Sequence, residues 1–472
     1  MTSLSVPVAV TARRRGPARL AATTLASGLV VAAVLAGAGP AAADSGAREQ
    51  GGAVATMDGL ETYGTAVVHA EGGDQEVPAG LFEMSVEGGG TLQTYCVDLY
   101  SPAQREARYR ETSWSGTSLG GNKDAGRIGW ILRNSYPQVN DLAALARRAG
   151  ISGGLTEQDA AAGTQVAIWR WSDGADVEAL DPQAERLADY LQKSARSLPE
   201  PRASLTLEPP AVSGHPGELL GPVTVRTNAQ GVTLTPPAEA VASGVRIVGK
   251  DGKDVTEAGN GTQLFFDVPE DAADGSAELT VQASTTVPVG RAFAADSRSQ
   301  TQILAGSSES TVSATASAVW ARSGAIPALS ARENCAEDAV DIAVRNPGDE
   351  PFVFELLGIE HSIPAGASQT VTVPLREDQA YDFTITAPSG PAWRFTGVLD
   401  CRTKGDTTAD ERPQLMTGPS PATVGGVPAD VNLAETGGSD TTPLIGGAAI
   451  ALVLIGGTVL LLLRDRHPAP RD

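Results

Sequence analysis

Aromatic side chains are scarce in this 472-residue chain: Phe, Trp and Tyr make up 4%, although 41% of the residues are hydrophobic. With 53 Gly and 31 Pro as well, the cores are expected to be thin β layers rather than one large globule. Basic charge is short too, with 35 Lys and Arg against 56 Asp and Glu, a net charge of -21. That balance excludes nucleic acid as a partner, because phosphate binding needs clustered cations to replace condensed counterions. Four histidines and three scattered cysteines exclude a His- or Cys-rich metal site, and no metal or cofactor is expected. Three cysteines are too few for a disulfide scaffold, and one is left over. The length allows about three domains, each able to bury a core.

The two ends are unlike the middle. Residues 1–43 carry Arg13, Arg14, Arg15 and Arg19, an apolar run from Leu20 to Gly39, and Ala41-Ala42-Ala43 before Asp44. This order predicts a secretory signal peptide removed after Ala43. Residues 443–463 are uncharged and are followed at once by Arg464 and Arg466. About 20 apolar residues cross a bilayer as a helix, so a single C-terminal transmembrane helix is expected, with 464–472 as a basic cytoplasmic tail. Just before the span stands Leu433-Ala434-Glu435-Thr436-Gly437. Pentapeptide, span and basic tail, in this order, resemble the sorting signal of Gram-positive cell-wall proteins, in the LAxTG form common among actinomycetes. The resemblance implies that a sortase cuts between Thr436 and Gly437 and joins Thr436 to peptidoglycan, leaving the protein attached to the wall and facing outward. A plain single-span membrane protein is the competing reading. With both cuts, residues 44–436 remain and carry a net charge of -25, a surface that repels acidic polymers.

Between the ends, four of the six tryptophans (Trp114, Trp130, Trp169, Trp171) and six of the seven tyrosines fall within residues 44–200. Thr156 and Asp159 form a capping-box pattern ahead of a Pro-free run, which predicts a helix over 157–171. Asp181-Pro182 opens another, and 127–134 and 142–148 add two shorter ones. With strand-like pieces at 65–70 and 92–99, residues 44–200 are expected to form an α+β head. A Pro-rich hinge at Leu198-Pro199-Glu200-Pro201 leads into alternating apolar patterns over 201–325, an expected β-rich stalk domain. Residues 331–403 repeat the pattern at short intervals and are expected to form an immunoglobulin-like β-sandwich, though closed barrels share the signature. Residues 404–432 read as a disordered wall-spanning linker. The expected fold is therefore multidomain: an α+β head, all-β stalk modules, and a membrane span.

Cys335 and Cys401 bracket the last β module, and in an exported protein they are expected to pair as a disulfide. Cys96 stands alone. It is buried and inert, paired with another molecule, catalytic, or joined to something other than sulfur. Its context is Thr94-Tyr95-Cys96-Val97-Asp98, and downstream lies Thr164-Gln165-Val166-Ala167-Ile168-Trp169 in the capped helix. The two motifs together resemble the thioester domains, also called TQXA domains, of Gram-positive surface proteins. Gly126 to Leu132, followed by Tyr136-Pro137, resembles the helical insertion between them, and the likeness covers roughly residues 55–200.

That resemblance implies an internal thioester in which Cys96 supplies the sulfur and Gln165 the acyl carbon, with Tyr95, Thr164, Ala167 and Trp169 as motif neighbours. A thiolate held against a polarised carboxamide displaces ammonia and leaves an activated acyl group. An amine or hydroxyl on an unidentified surface target then takes the acyl group, once per molecule and without turnover, so the chain reads as a monomeric covalent adhesin and not an enzyme. Two other classes compete: a non-covalent binding or structural wall protein with an ordinary Cys96 thiol, and a secreted cysteine enzyme assembled from Cys96, His69 and Asp98. Lys250-Asp251-Gly252-Lys253 reads as a hairpin turn rather than a source of isopeptide bonds.

Overall fold

The computed structural model describes residues 51–70, 73–235, 244–387 and 392–402. The expected signal peptide, wall-spanning linker, sorting motif, transmembrane helix and tail lie outside the described residues. Among the described residues no helix is long and apolar enough to cross a membrane.

The described residues are mostly β, and the four α-helices among them lie within 125–194. The organising element is a closed ring of six antiparallel strands. Val54–Val68 pairs with Gln75–Val86, which pairs with Thr91–Cys96. Thr91–Cys96 then pairs with Gln302–Ser307, which pairs with Ala292–Ala295. Ala292–Ala295 pairs with Arg108–Thr112, which returns to Val54–Thr56. Every strand in the ring finds two partners, so no edge is left open. The long first strand carries irregularities at Met57/Gly59 and Leu60/Thr62, the extra residues that let a strand bend around a barrel.

The helices are Ala125–Asn134, Leu142–Arg148, Glu157–Ser172 and Pro182–Ser194, within a residue or two of the positions read from the caps. Thr156 and Asp159 make the full reciprocal capping box, and Asp181 caps the fourth helix ahead of Pro182. The third helix is not amphipathic. Ala160 to Trp169 are all buried, because the helix lies between the first two barrel strands and the fourth helix. Small residues permit this close approach: a Cβ on Gly163 would run into the Ala184 carbonyl.

The β region after residue 200 forms two sheets. One contains Leu205–Glu208, Leu219–Thr227, Gln263–Asp267 and Arg246–Gly249; the other contains Glu309–Trp320, Gly275–Thr286, Val232–Thr235, Glu257–Ala258 and the parallel strand Ala211–Gly214. Their buried faces and the barrel interior belong to one continuous apolar core. The head expected to end at residue 200 therefore does not close there. Residues 292–307, expected to belong to the stalk, leave the second sheet after Thr286, supply two barrel strands, and return at Glu309. In the other direction, Gly51–Gly52 pairs with Ala314 and Ser313 of the stalk sheet. The physical reason is edge satisfaction: without 292–307 the facing backbones of Thr91–Cys96 and Arg108–Thr112 have no partners.

Residues 319–401 build a second core, around Trp393, Phe395 and Phe352. Ala328–Asn334, Ala339–Asn346 and Ala367–Pro374 form one sheet, and two hairpins, Phe352–Leu356 with Ile359–Ile363 and Ala380–Thr386 with Ala392–Val398, complete the module. Cys335 and Cys401 are bonded to each other across 66 residues. Closing a loop of that length stabilises the module by roughly 4 kcal/mol on a chain-entropy account.

Interleaving has a direct consequence. A fragment of residues 44–200, lacking two of six barrel strands, is expected to lack cooperative unfolding and to bind a hydrophobic dye, whereas residues 44–402 unfold cooperatively. A cooperative melt of the short fragment in calorimetry would contradict the shared barrel.

Candidate functional site

Cys96 is the last residue of its strand and is wholly buried. Its Cα partner on the neighbouring strand is Gln302. The third helix runs past it and presents Gln165 and Trp169, one turn apart, from the same side. Trp169 Nε1 donates to the Cys96 sulfur at 3.5 Å. Gln165 approaches the backbone instead: its Oε1 accepts from Cys96 N–H at 3.1 Å and its Nε2 donates to the Cys96 carbonyl at 2.8 Å. Both ends of the Gln165 amide are spent in holding the strand end to the helix.

The carboxamide that touches the sulfur belongs to Gln300. This residue lies in the short segment between Ala292–Ala295 and Gln302–Ser307, and it too is wholly buried. Its backbone N–H donates to Pro102 O at 3.1 Å. With the side-chain oxygen toward Ala103 and the nitrogen toward Asp98, Oε1 accepts from Ala103 N–H at 3.1 Å and Nε2 donates to the Asp98 carbonyl at 3.0 Å. The loop from Val97 to Ala107 thus holds the Gln300 backbone and orients its amide beside Cys96.

The other motif neighbours are structural. Tyr95 donates its hydroxyl to Tyr136 O at 2.9 Å, and Thr164 bonds back to Ala160 O at 2.6 Å. Ala167 is buried against the barrel. Thr94 donates to Gln302 Oε1 at 2.9 Å, while Gln302 Nε2 has no partner among the described residues. His69 is bonded to Asp74 at 2.8 Å and faces Glu178; it takes no part in the Cys96 cluster. Lys250 to Lys253 form a turn, with Lys253 paired to Asp251 at 3.0 Å. Among the described residues, Asp338, Glu377 and Cys401 are the one acidic or thiol group close enough to share a cation. Cys401 sulfur is committed to Cys335, and Asp338 pairs with Arg402 at 2.7 Å.

Burial pushes the Cys96 thiol well above its ordinary value, the Trp169 indole N–H working against that and Asp98 adding to it. The thiol is therefore neutral and dry, and what it can react with is set by contact. Asp98, two residues on, is lifted by burial to about 6, against the pull of Ser118 and Thr301, which donate to its two oxygens at 2.6 and 2.7 Å. Thr301 Oγ1 also reaches Asp400 of the last module at 3.4 Å. Burial raises Asp400 well above its usual range, and Asp98, Glu377 and Asp378 add to the effect. Glu377 is engaged by the Cys401 and Arg402 amides, and the Asp378 carbonyl by Arg298. Thr301 thus bonds Asp98 beside the thiol on one side and Asp400 of the last module on the other.

Sequence reasoning found Cys96, the helix and its Trp169, but missed Gln300, Ala103 and Asp400. The available signal was Ser299-Gln300-Thr301-Gln302, a polar run between apolar strand residues, and nothing local linked it to a cysteine 204 residues away.

A family model for the thioester domain matches residues 93–197, a span that contains Cys96 and Gln165 and stops before Gln300. Among solved structures, the chain is similar to the Bacillus anthracis TIE protein, at 15% identity and a TM-score of 0.27, covering 74% of this chain and 63% of that one. It is similar to the thioester domain of the Enterococcus faecium TIE86 protein, at 14% identity and a TM-score of 0.28, covering 57% and 97%. A third is the thioester domain of the Staphylococcus aureus TIE protein, at 12% identity and a TM-score of 0.19, covering 57% and 99%. At these scores the likenesses carry no argument, and the domain assignment rests on the family model. No curated protein sequence matches the chain.

Because Asp98 and Asp400 sit above the ordinary carboxyl range, the folded state holds protons that the unfolded chain has released. The contribution of Asp98 is complete below about pH 4 and is lost as pH rises through about 6, and that of Asp400 is likewise lost on raising the pH. Asp400→Asn is expected to raise the melting temperature at pH 7.5, with the gain shrinking toward pH 4. A gain equal at both values would show that the pair does not titrate in this way.

Proposed function

We propose that the protein is an exported, wall-anchored adhesin that attaches itself covalently through a thioester between Cys96 sulfur and the side-chain acyl carbon of Gln300. The observation that carries this reading is the contact between the Cys96 thiol and the Gln300 carboxamide, both wholly buried, in a chain whose residues 93–197 match the thioester-domain model. The acyl partner is thus Gln300 rather than Gln165, whose amide is committed to the backbone of Cys96.

In forming the bond, sulfur attacks the Gln300 carbonyl carbon, the C–S bond forms, and Nε2 departs as ammonia with the thiol proton. Ala103 N–H points at the carbonyl oxygen, where charge develops in the tetrahedral intermediate. Contact supplies the remaining drive, since a buried neutral thiol is a poor nucleophile unless it is held at its target. When an amine or hydroxyl attacks the acyl carbon, the C–S bond breaks, the acceptor's proton passes to sulfur, and Cys96 is freed as a thiol. One molecule reacts once, so this is attachment and not catalysis. Trp169 and the cover of residues 97–107 exclude water until then.

Anchoring through Thr436 to peptidoglycan, by a sortase, is the part of this reading that rests on sequence alone. A non-covalent wall protein with a free Cys96 thiol is the alternative.

Peptide mapping of the intact protein without reductant is expected to yield the Cys96 peptide joined to the Gln300 peptide, lighter by one ammonia than the sum of the two. Cys96→Ala and Gln300→Ala abolish that species, and methylamine adds to Gln300. A free, alkylatable Cys96 in the wild type would leave the non-covalent reading, and a cross-link to Gln165 would return the acyl carbon to the helix.

A further inference from the structure

A polar cleft of about 1250 Å³ opens where the barrel, the first β module and the last module meet. Its floor includes Pro102, Ser299 and Asp400. These are the residues that cover the reactive pair: Pro102 O accepts from Gln300 N–H, Ser299 Oγ accepts from Gln104 N–H at 2.9 Å, and Asp400 bonds Thr301. Cys96 and Gln300 are wholly enclosed, so an acceptor must first dock and then displace part of the cover. This cleft is the docking volume that borders the cover.

Its chemistry narrows the acceptor. The lining carries Arg110, Arg202, Arg226, Arg291, Arg298 and Arg332 against seven carboxyls, which leaves the cleft close to neutral, and three pairs lie within it: Arg110 with Asp296 at 2.9 Å, Arg226 with Glu208 at 3.1 Å, and Arg291 with Glu111 at 2.9 Å. Paired arginines release little on meeting a polyanion, and the net charge of -21 repels one. Most of the carboxylates are likewise engaged, Glu200 by Arg291 and Glu333 by Tyr381, which weakens the pull on a polycation. What remains is a surface of planar, two-pronged hydrogen-bonding groups with Asn260 beside them, suited to adjacent hydroxyls rather than to charge. The volume exceeds that of most small-molecule sites and accommodates several sugar rings.

We infer that this three-walled cleft is the acceptor site and that it takes an uncharged, hydroxyl-rich glycan. The inference rests on the thioester reading. The hydroxyl oxygen of the bound glycan bonds to the Gln300 acyl carbon, the C–S bond breaks, the hydroxyl proton goes to Cys96 sulfur, and an ester links protein to glycan.

The full chain carrying Cys96→Ala, which can bind but not react, is applied to a microarray of neutral oligosaccharides with polygalacturonate and polylysine spots. Neutral glycan spots are expected to bind, with a loss of at least about tenfold in affinity when Arg226→Ala or the cleft-filling Ser297→Trp is added. Binding only to polygalacturonate or only to polylysine, no binding at all, or binding indifferent to both substitutions overturns the inference. Methylamine addition to Gln300, measured in protein with Cys96 intact, reports the thioester separately: if it persists while the array is blank, the cleft assignment fails alone, and if it is absent the thioester reading fails first.

Discussion

The pairing of Gln302–Ser307 with Thr91–Cys96 is the constraint on which the rest of the structure depends. It closes the barrel, and the same register carries Gln300 to the end of the cysteine strand. The ring has no spare edge, so neither strand can slide without breaking ladders on both sides. The chain meets this requirement by threading a complete β module, residues 205–286, between the fifth barrel strand and the helices that precede it. The Cys96–Gln300 contact is thereby fixed by elements that are far apart in sequence.

Dryness and contact act together at the site. Burial makes the Cys96 thiol hard to ionise, and the Gln300 carboxamide is the group in contact with it. The helix contributes by orientation: Gln165 ties down the strand backbone and Trp169 donates to the sulfur. The cover is shared between modules, since Thr301 bonds Asp98 on one side and Asp400 on the other. The segment that carries Gln300 is thus bonded to the last module, which is itself held together by the Cys335–Cys401 bond.

Much of this was legible along the chain. The capping box at Thr156 and the Asp181-Pro182 start placed two helices to within a residue, because caps are local chemistry. Alternation marked the strands of the last module, and the placement of Cys335 and Cys401 at its ends indicated their pairing. Local patterns failed where backbone partners are distant. The hinge at Pro199 and Pro201 looked like a domain boundary, yet the barrel takes strands from beyond it. Gln165 drew attention because it sits in a recognisable helix motif, whereas Gln300 lies in a short polar run with no period to mark it.

The amino-acid sequence by itself determined the elements, the paired cysteines, and the presence of one cysteine in an aromatic-Cys strand facing a Thr-Gln-x-Ala helix. Only the tertiary structure decided which glutamine meets the sulfur. Helix caps and strand alternation act between residues a few positions apart, but the Cys96–Gln300 contact spans 204 residues and exists only once the barrel has closed in one register.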